Sequence, residues 1–164
     1  MEVLERSTRG VVIAHCASTL FMVGLIWTIH IVHYPLFAYV GDATYVQFQA
    51  EHVDRIGKLL LVPWLTEGIT LLALLALAFV GSRRELRVPI FLNGLAMAVV
   101  LIISGFWSAP AHGELADGFD ADVHSRLMTA NLVRTLAWSV CGSCALWILS
   151  KTWRPSPTER ERLS

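Results

Sequence analysis

The sequence predicts an all-α fold, a four-helix transmembrane bundle with both termini cytoplasmic, on three observations. Four long apolar stretches, 11–37, 59–80, 88–108 and 128–150, fill most of the 164 residues. Each approaches or exceeds the ~20 residues a helix needs to cross hydrocarbon, and a helix satisfies its own backbone groups in lipid. Basic residues crowd one set of helix ends and acidic residues the other, which fixes an orientation.

The first stretch is too long for a signal-peptide h-region and carries His15, His30 and His33, so it reads as a mature helix. Between it and the second stretch, Tyr45, Phe48, His52 and Ile56 recur at helical spacing. That pattern predicts a short interfacial helix over about 43–57, lying in the headgroup region before helix 2. Helix 2 leads through a tight basic turn into helix 3. The segment Asp120 to Arg126 opens helix 4, with Asp120 or Asp122 placed to cap its first N–H groups. Residues 1–150 then form one transmembrane domain. Residues 151–164, charged and proline-bearing, have too little apolar surface to order themselves and read as a disordered cytoplasmic tail.

Arg6 and Arg9 precede helix 1, Arg83, Arg84 and Arg87 fill the turn between helices 2 and 3, and Lys151, Arg154, Arg160 and Arg162 follow helix 4. The opposite ends carry only Arg55, Lys58 and Arg126 beside Asp42, Glu51, Asp54, Glu114, Asp117, Asp120 and Asp122. The expected location is therefore a bacterial inner membrane, multi-pass, with the longer connections outside. The charge balance of 13 basic to 13 acidic residues gives no basic patch for nucleic acid, leaving the bilayer, a lipophilic small molecule and an oligomeric partner as candidate partners. Cys141-x-x-Cys144 has no βαβ context for a redox motif; with Gly142 and Ser143 between the thiols it reads as small-residue helix packing.

The two halves share a plan: a helix ending in a proline (Pro35, Pro110), an acidic segment with an aromatic (Phe48, Phe119), then a histidine and an arginine (His52 and Arg55, His124 and Arg126). This is a weak parallel repeat, and common hairpin grammar explains it as well as duplication does.

Polar residues inside a membrane bundle are costly and mark function. Glu67 and Arg134 fall at similar depth with His30 and Asn131, which predicts a Glu67–Arg134 ion pair between helices 2 and 4. Five of the six histidines, His30, His33, His52, His112 and His124, gather toward the outer mouth. The candidate catalytic residues are His30, His112, His124, Asn131 and Arg134, and the candidate substrate-binding residues are His33, Glu67, Trp107 and Trp64. Three chemistries fit. The five histidines could ligate a transition metal, or two of them a haem. An imidazole could instead act as a general base without any cofactor, beside donors from Arg and Asn. No metal signature of the His-Glu-x-x-His kind is present.

The run Trp107-Ser-Ala-Pro-Ala-His112, then Phe119-Asp-Ala-Asp-Val-His124-Ser-Arg126-Leu and Thr129-Ala-Asn131-Leu-Val-Arg134-Thr-Leu-Ala-Trp138, resembles small four-span bacterial proteins of the anthrone-oxygenase-like membrane families. His33-Tyr-Pro35-Leu-Phe to Glu51-His52 looks like the matching first-half element. The resemblance implies oxidation of polycyclic anthrones to quinones by molecular oxygen, without metal or flavin, and points to His112, His124, Asn131 and Arg134. The acidic outer loop and its extra histidines depart from that pattern.

Three functions are thus expected in competition. One is an oxidoreductase or oxygenase acting on a lipophilic aromatic or quinone-like substrate from a pocket open to the outer leaflet. The others are a haem- or metal-binding membrane protein, and a non-enzymatic subunit or small transporter.

Overall fold

The computed structural model describes residues 2–80 and 84–153. Five helices make up most of it: α1 (Glu2–Thr28), α2 (Asp42–Val80), α3 (Arg87–Ile103), the short α4 (Ala109–Glu114) and α5 (Ala121–Thr152). With the turns that extend them, four helical segments are long and apolar enough to cross a membrane: Thr8–Tyr39, Asp42–Val80, Arg84–Asp117 and Ala121–Thr152. Helix α1 packs on α2 and α5, and α3 packs on the same two helices from the other side, closing a four-helix bundle. Part of the turn between helices 2 and 3, with Arg83, lies outside the described residues; of the tail expected over 151–164, Lys151 and Thr152 still belong to α5, and 154 onward lies outside the described residues.

The outer half of α2 differs from the expectation. Residues 43–57 are helical, but they form no separate helix: α2 runs unbroken for 39 residues. At 1.5 Å per residue that is about 58 Å, nearly twice the hydrocarbon thickness. The charges that interrupt the hydropathy do not interrupt the helix. They sit on its outer face as i,i+4 pairs, Glu51–Arg55 at 2.9 Å and Asp54–Lys58 at 2.6 Å, each worth a few tenths of a kcal/mol. The opposite stripe, Tyr45, Gln49 and His52, is buried inside the protein.

Prolines shape the ends of the first and third spans. Tyr34 N donates to Ile29 O over 2.9 Å, so Ile29–His33 is a single π turn. The same widening occurs over Ser104–Ser108, where Ala109 N reaches Ser104 O. In each case a proline follows two residues later (Pro35, Pro110), and the wider turn accommodates a ring that lacks an N–H and crowds the preceding carbonyls. Short helical turns then carry the spans on past the prolines, Pro35–Tyr39 in one half and α4 in the other, rather than ending them at Pro35 and Pro110. Gly118, at φ +147°, reverses the chain where a side chain would be strained. Asp120 Oδ1 then accepts from Asp122 N and Val123 N, both at 2.9 Å, capping α5 as expected.

Counted from the helix starts, the two halves also align in a second register. His52 and Asn131 each stand ten residues beyond the first residue of α2 and α5, and Arg55 and Arg134 thirteen beyond.

Three apolar layers fill the axis. The inner one holds Val12, Leu74, Ala78, Leu86, Ile90 and Ile148. The middle one includes Met22, Ile26, Leu71, Met97, Val100, Trp138 and Cys141. The outer one joins Tyr34, Phe37, Tyr45, Leu115 and Leu127. The three cysteines are free and buried, and a Cβ on Gly142 would meet Val23 Cγ2 at 3.0 Å, so 141–144 is a close helix–helix contact.

Candidate functional site

Polar groups occupy the axis at two levels. Between the inner and middle layers, one histidine ties four helices together. His15 Nδ1 meets Thr70 Oγ1 at 3.1 Å, and His15 Nε2 meets Asn93 Nδ2 at 3.0 Å. Asn93 Nδ2 also lies 3.2 Å from the Cys141 carbonyl, which can only accept. That nitrogen is therefore the NH2, His15 Nε2 accepts from it, and His15 Nδ1 carries the hydrogen given to Thr70. Both ring nitrogens are satisfied, and His15 acts as a lock rather than a reactive group.

The second level lies at the outer mouth, where four elements converge. The π turn after α1 presents His33 and Tyr34, α2 presents Gln49 and His52, α4 presents His112, and the start of α5 presents His124. His33 Nε2 and His52 Nδ1 lie 2.8 Å apart and share one hydrogen. Gln49 Nε2 donates to the His112 carbonyl at 3.3 Å and lies 3.0 Å from His112 Nδ1. The carbonyl identifies the amide nitrogen, so His112 Nδ1 accepts and its Nε2 carries the hydrogen. That Nε2–H points at Tyr34 Oη, 2.8 Å away. His124 Nε2 donates to the Tyr34 carbonyl at 2.8 Å, while its ring stacks on Phe37. The His52 and His112 rings are 5.3 Å apart, and Phe37 sits among them with its centroid 5.0 Å from His52.

Beneath this layer the expected ion pair is absent, and Trp138 explains why. Its Nε1 donates to Glu67 Oε2 at 3.1 Å, and the Arg134 guanidinium lies over its ring, 5.5 Å from the centroid. The indole stands between carboxyl and guanidinium, and no ion pair joins Glu67 to Arg134. Arg134 instead lies within interaction range of the Tyr34 hydroxyl and of His112. Asn131 is fully buried, one turn away, and neither of its amide atoms has a partner among the described residues.

The structure thus brings together His33, His52, His112 and His124, with Arg134 behind them. It does not bring all the candidates in. His30 stands edge-on to Trp27 with a buried, unpartnered Nδ1, outside the hydrogen-bonded group. Trp107 is 54% exposed and turned outward, a correction to its expected place in the pocket wall. Trp64 packs edge-on against Trp138 at 5.7 Å and lines an apolar groove with Leu65 and Met97, away from the histidines. Tyr34 is the hub of the group, and Gln49 was not anticipated.

Metal ligation does not fit this arrangement. Among the described residues no group of three His, Cys, Asp or Glu side chains is placed to hold a metal ion. His112 has both nitrogens engaged, and His124 spends its Nε2 on a backbone carbonyl. The arrangement suits proton transfer. A groove of about 380 Å³ beside α2 opens onto the histidine pair, lined by His33, His52, Phe48, Ile56 and Leu59 with Glu51 and Arg55 at its edge. No family model, curated protein or solved structure compared with the chain matches it.

Proposed function

We propose that this is a membrane-embedded oxidoreductase that withdraws a proton from a lipophilic, weakly acidic aromatic molecule, such as a phenol, quinol or anthrone, seated in the groove beside His33 and His52. The observation that carries the reading is the hydrogen-bonded imidazole pair at the groove, 2.8 Å between nitrogens, backed by the buried His112–Tyr34 contact. With the shared hydrogen on His33 Nε2, His33 Nδ1 is the free base. Taking a substrate proton there lets the hydrogen on Nε2 pass to His52, so the charge spreads over two rings. For an anthrone the balance is ring CH2 plus O2 giving ring C=O plus H2O; the carbanion left by deprotonation supplies the electrons to O2. That is the reaction of the anthrone-oxygenase-like families the chain resembles. The basic-residue bias supports an orientation with both termini in the cytoplasm and the groove at the outer leaflet of a bacterial inner membrane, where lipid would deliver such a substrate.

Oxygen uptake by the purified protein with an anthrone, a naphthoquinol and a long-chain phenol tests this. His33→Phe and His52→Phe should each lower the rate by about 10²-fold or more. Full activity in either variant, or no uptake by the native protein with any of the three, refutes the reading.

A further inference from the structure

Around Arg134 the bundle collects hydrogen-bond donors and positive charge without a matching anion. Arg134 is 7% exposed, and no Asp or Glu pairs with it among the described residues. Its Nε has no partner. A guanidinium stays charged in proteins, and an uncompensated charge in a membrane interior costs several kcal/mol. The nearest side chains do not neutralise it. Trp138 offers a ring face, a partial compensation only. Tyr34 Oη, which receives the His112 Nε2–H, also lies within hydrogen-bonding reach of Arg134, but a neutral hydroxyl leaves the charge in place. Glu67 is held by the Trp138 N–H on the far side of the indole. Asn131, fully buried and one turn from Arg134, has its whole amide unused. Trapped water could satisfy the amide, but water leaves the charge uncompensated.

We infer that Arg134 and Asn131 form an interior receptor for a monoanion, either a halide ion or the charged oxygen of a phenolate. The phenolate source rests on the proposed function and requires the substrate oxygen to pass beyond the His33–His52 groove, whose lining includes neither residue, to reach Arg134; the halide source does not. Arg134 supplies the charge and a fork of N–H donors, and the Asn131 amide adds a donor one helical turn away. The Trp138 ring beneath the guanidinium makes the site visible to fluorescence.

Thermal unfolding and tryptophan fluorescence of the full chain in neutral detergent test the site at constant ionic strength. Sodium gluconate is the reference, sodium chloride or bromide the halide probe, pentachlorophenolate the phenolate probe, and pentachloroanisole its uncharged control. One anion should raise the unfolding temperature and change the fluorescence, and Arg134→Gln should abolish both responses. Asn131→Leu should weaken binding by about tenfold, the value of a hydrogen bond to a charged group, and it reports on the site if Arg134→Gln does not fold. A response to halide without phenolate upholds the receptor and removes support from the phenol-oxidising reading. A response to phenolate with none to the anisole upholds both. Equal behaviour in gluconate and halide, together with equal binding of phenolate and anisole, overturns the receptor. So does anion binding unchanged by both substitutions.

Discussion

Gln49→Leu should release the histidine that faces Tyr34. In the native protein the Gln49 amide makes two contacts to one residue, the His112 carbonyl at 3.3 Å and His112 Nδ1 at 3.0 Å. The carbonyl accepts only, so the amide presents its NH2, and the second contact holds His112 as the Nε2–H tautomer that donates to Tyr34 Oη. One such hydrogen bond is worth about 0.5–1.5 kcal/mol, so its loss should shift the tautomer ratio by about 2- to 13-fold toward Nδ1–H. The cost in stability is smaller than two lost hydrogen bonds suggest, because leucine also removes the buried, unpartnered Gln49 Oε1. The assay is 15N NMR of selectively labelled histidine in detergent, with His112→Asn to assign the resonances. The native protein should show His112 with Nδ1 in the bare, acceptor range and Nε2 protonated, and Gln49→Leu should move both toward the average. A native His112 protonated on Nδ1 would refute the reasoning, and with it the donor character of the pocket around Tyr34.

Other perturbations separate structure from chemistry. His15→Leu and Asn93→Leu should each destabilise the bundle by about 1–3 kcal/mol, with a coupling of about 0.6–1.7 kcal/mol in a double-mutant cycle followed by thermal unfolding in detergent. Zero coupling would mean the His15–Asn93 contact does not form. Trp138→Phe shrinks a fully buried ring and leaves Glu67 Oε2 without its donor, so it should cost at least about 1–3 kcal/mol, whereas Trp107→Leu, on the outer face, should stay within about 0.5 kcal/mol. Glu51→Gln should shift stability by less than about 0.5 kcal/mol, because its pair with Arg55 is exposed. Reporter fusions after residue 40 and after residue 115 should read outside, and one after 84 inside; the reverse pattern would invert the proposed side of the site.

The four spans and the Asp120 cap were legible because hydropathy and capping are local properties of the chain. The continuity of α2 was not. Charges at Glu51, Asp54, Arg55 and Lys58 break an apolar run, yet a helix propagates through any residue with adequate helical propensity. The Glu67–Arg134 pair failed for a different reason. Counting residues from a helix end gives height in the bundle but not direction around the axis, and Trp138, one turn beyond Arg134, occupies the space between them. His30 and His33 look co-facial at α-helical spacing, but the π turn over Ile29–His33 changes the pitch where it matters. His33 reaches His52, while His30 turns to Trp27. Gln49 carried no signal of its own; only its place on the buried stripe with Tyr45 and His52 pointed inward.

The placement of satisfied and unsatisfied groups along the axis bears on what the bundle can do. At the inner level both His15 nitrogens are engaged, and beyond them Val12, Leu74, Ala78, Leu86, Ile90 and Ile148 close the core. Among the described residues most unused polar atoms lie toward the middle and outer levels, Glu67 Oε1, Asn131 Nδ2 and Oδ1, Arg134 Nε, Ser108 Oγ and His52 Nε2, although Asn93 Oδ1 in the lock is also unpartnered. Buried polar atoms are rarely left without partners, so ordered water or a ligand is expected to reach these. A transporter would need this polar region to continue through the inner layer, which would require breaking the His15–Thr70–Asn93 lock and parting the apolar side chains below it. A site serving one side only needs neither. In the proposed orientation that side is the outer leaflet, so the lock should be dispensable for ligand binding at the mouth. His15→Leu should lower stability and leave anion and substrate binding unchanged, and a loss of binding in that variant, once folded, would show that the two levels move together.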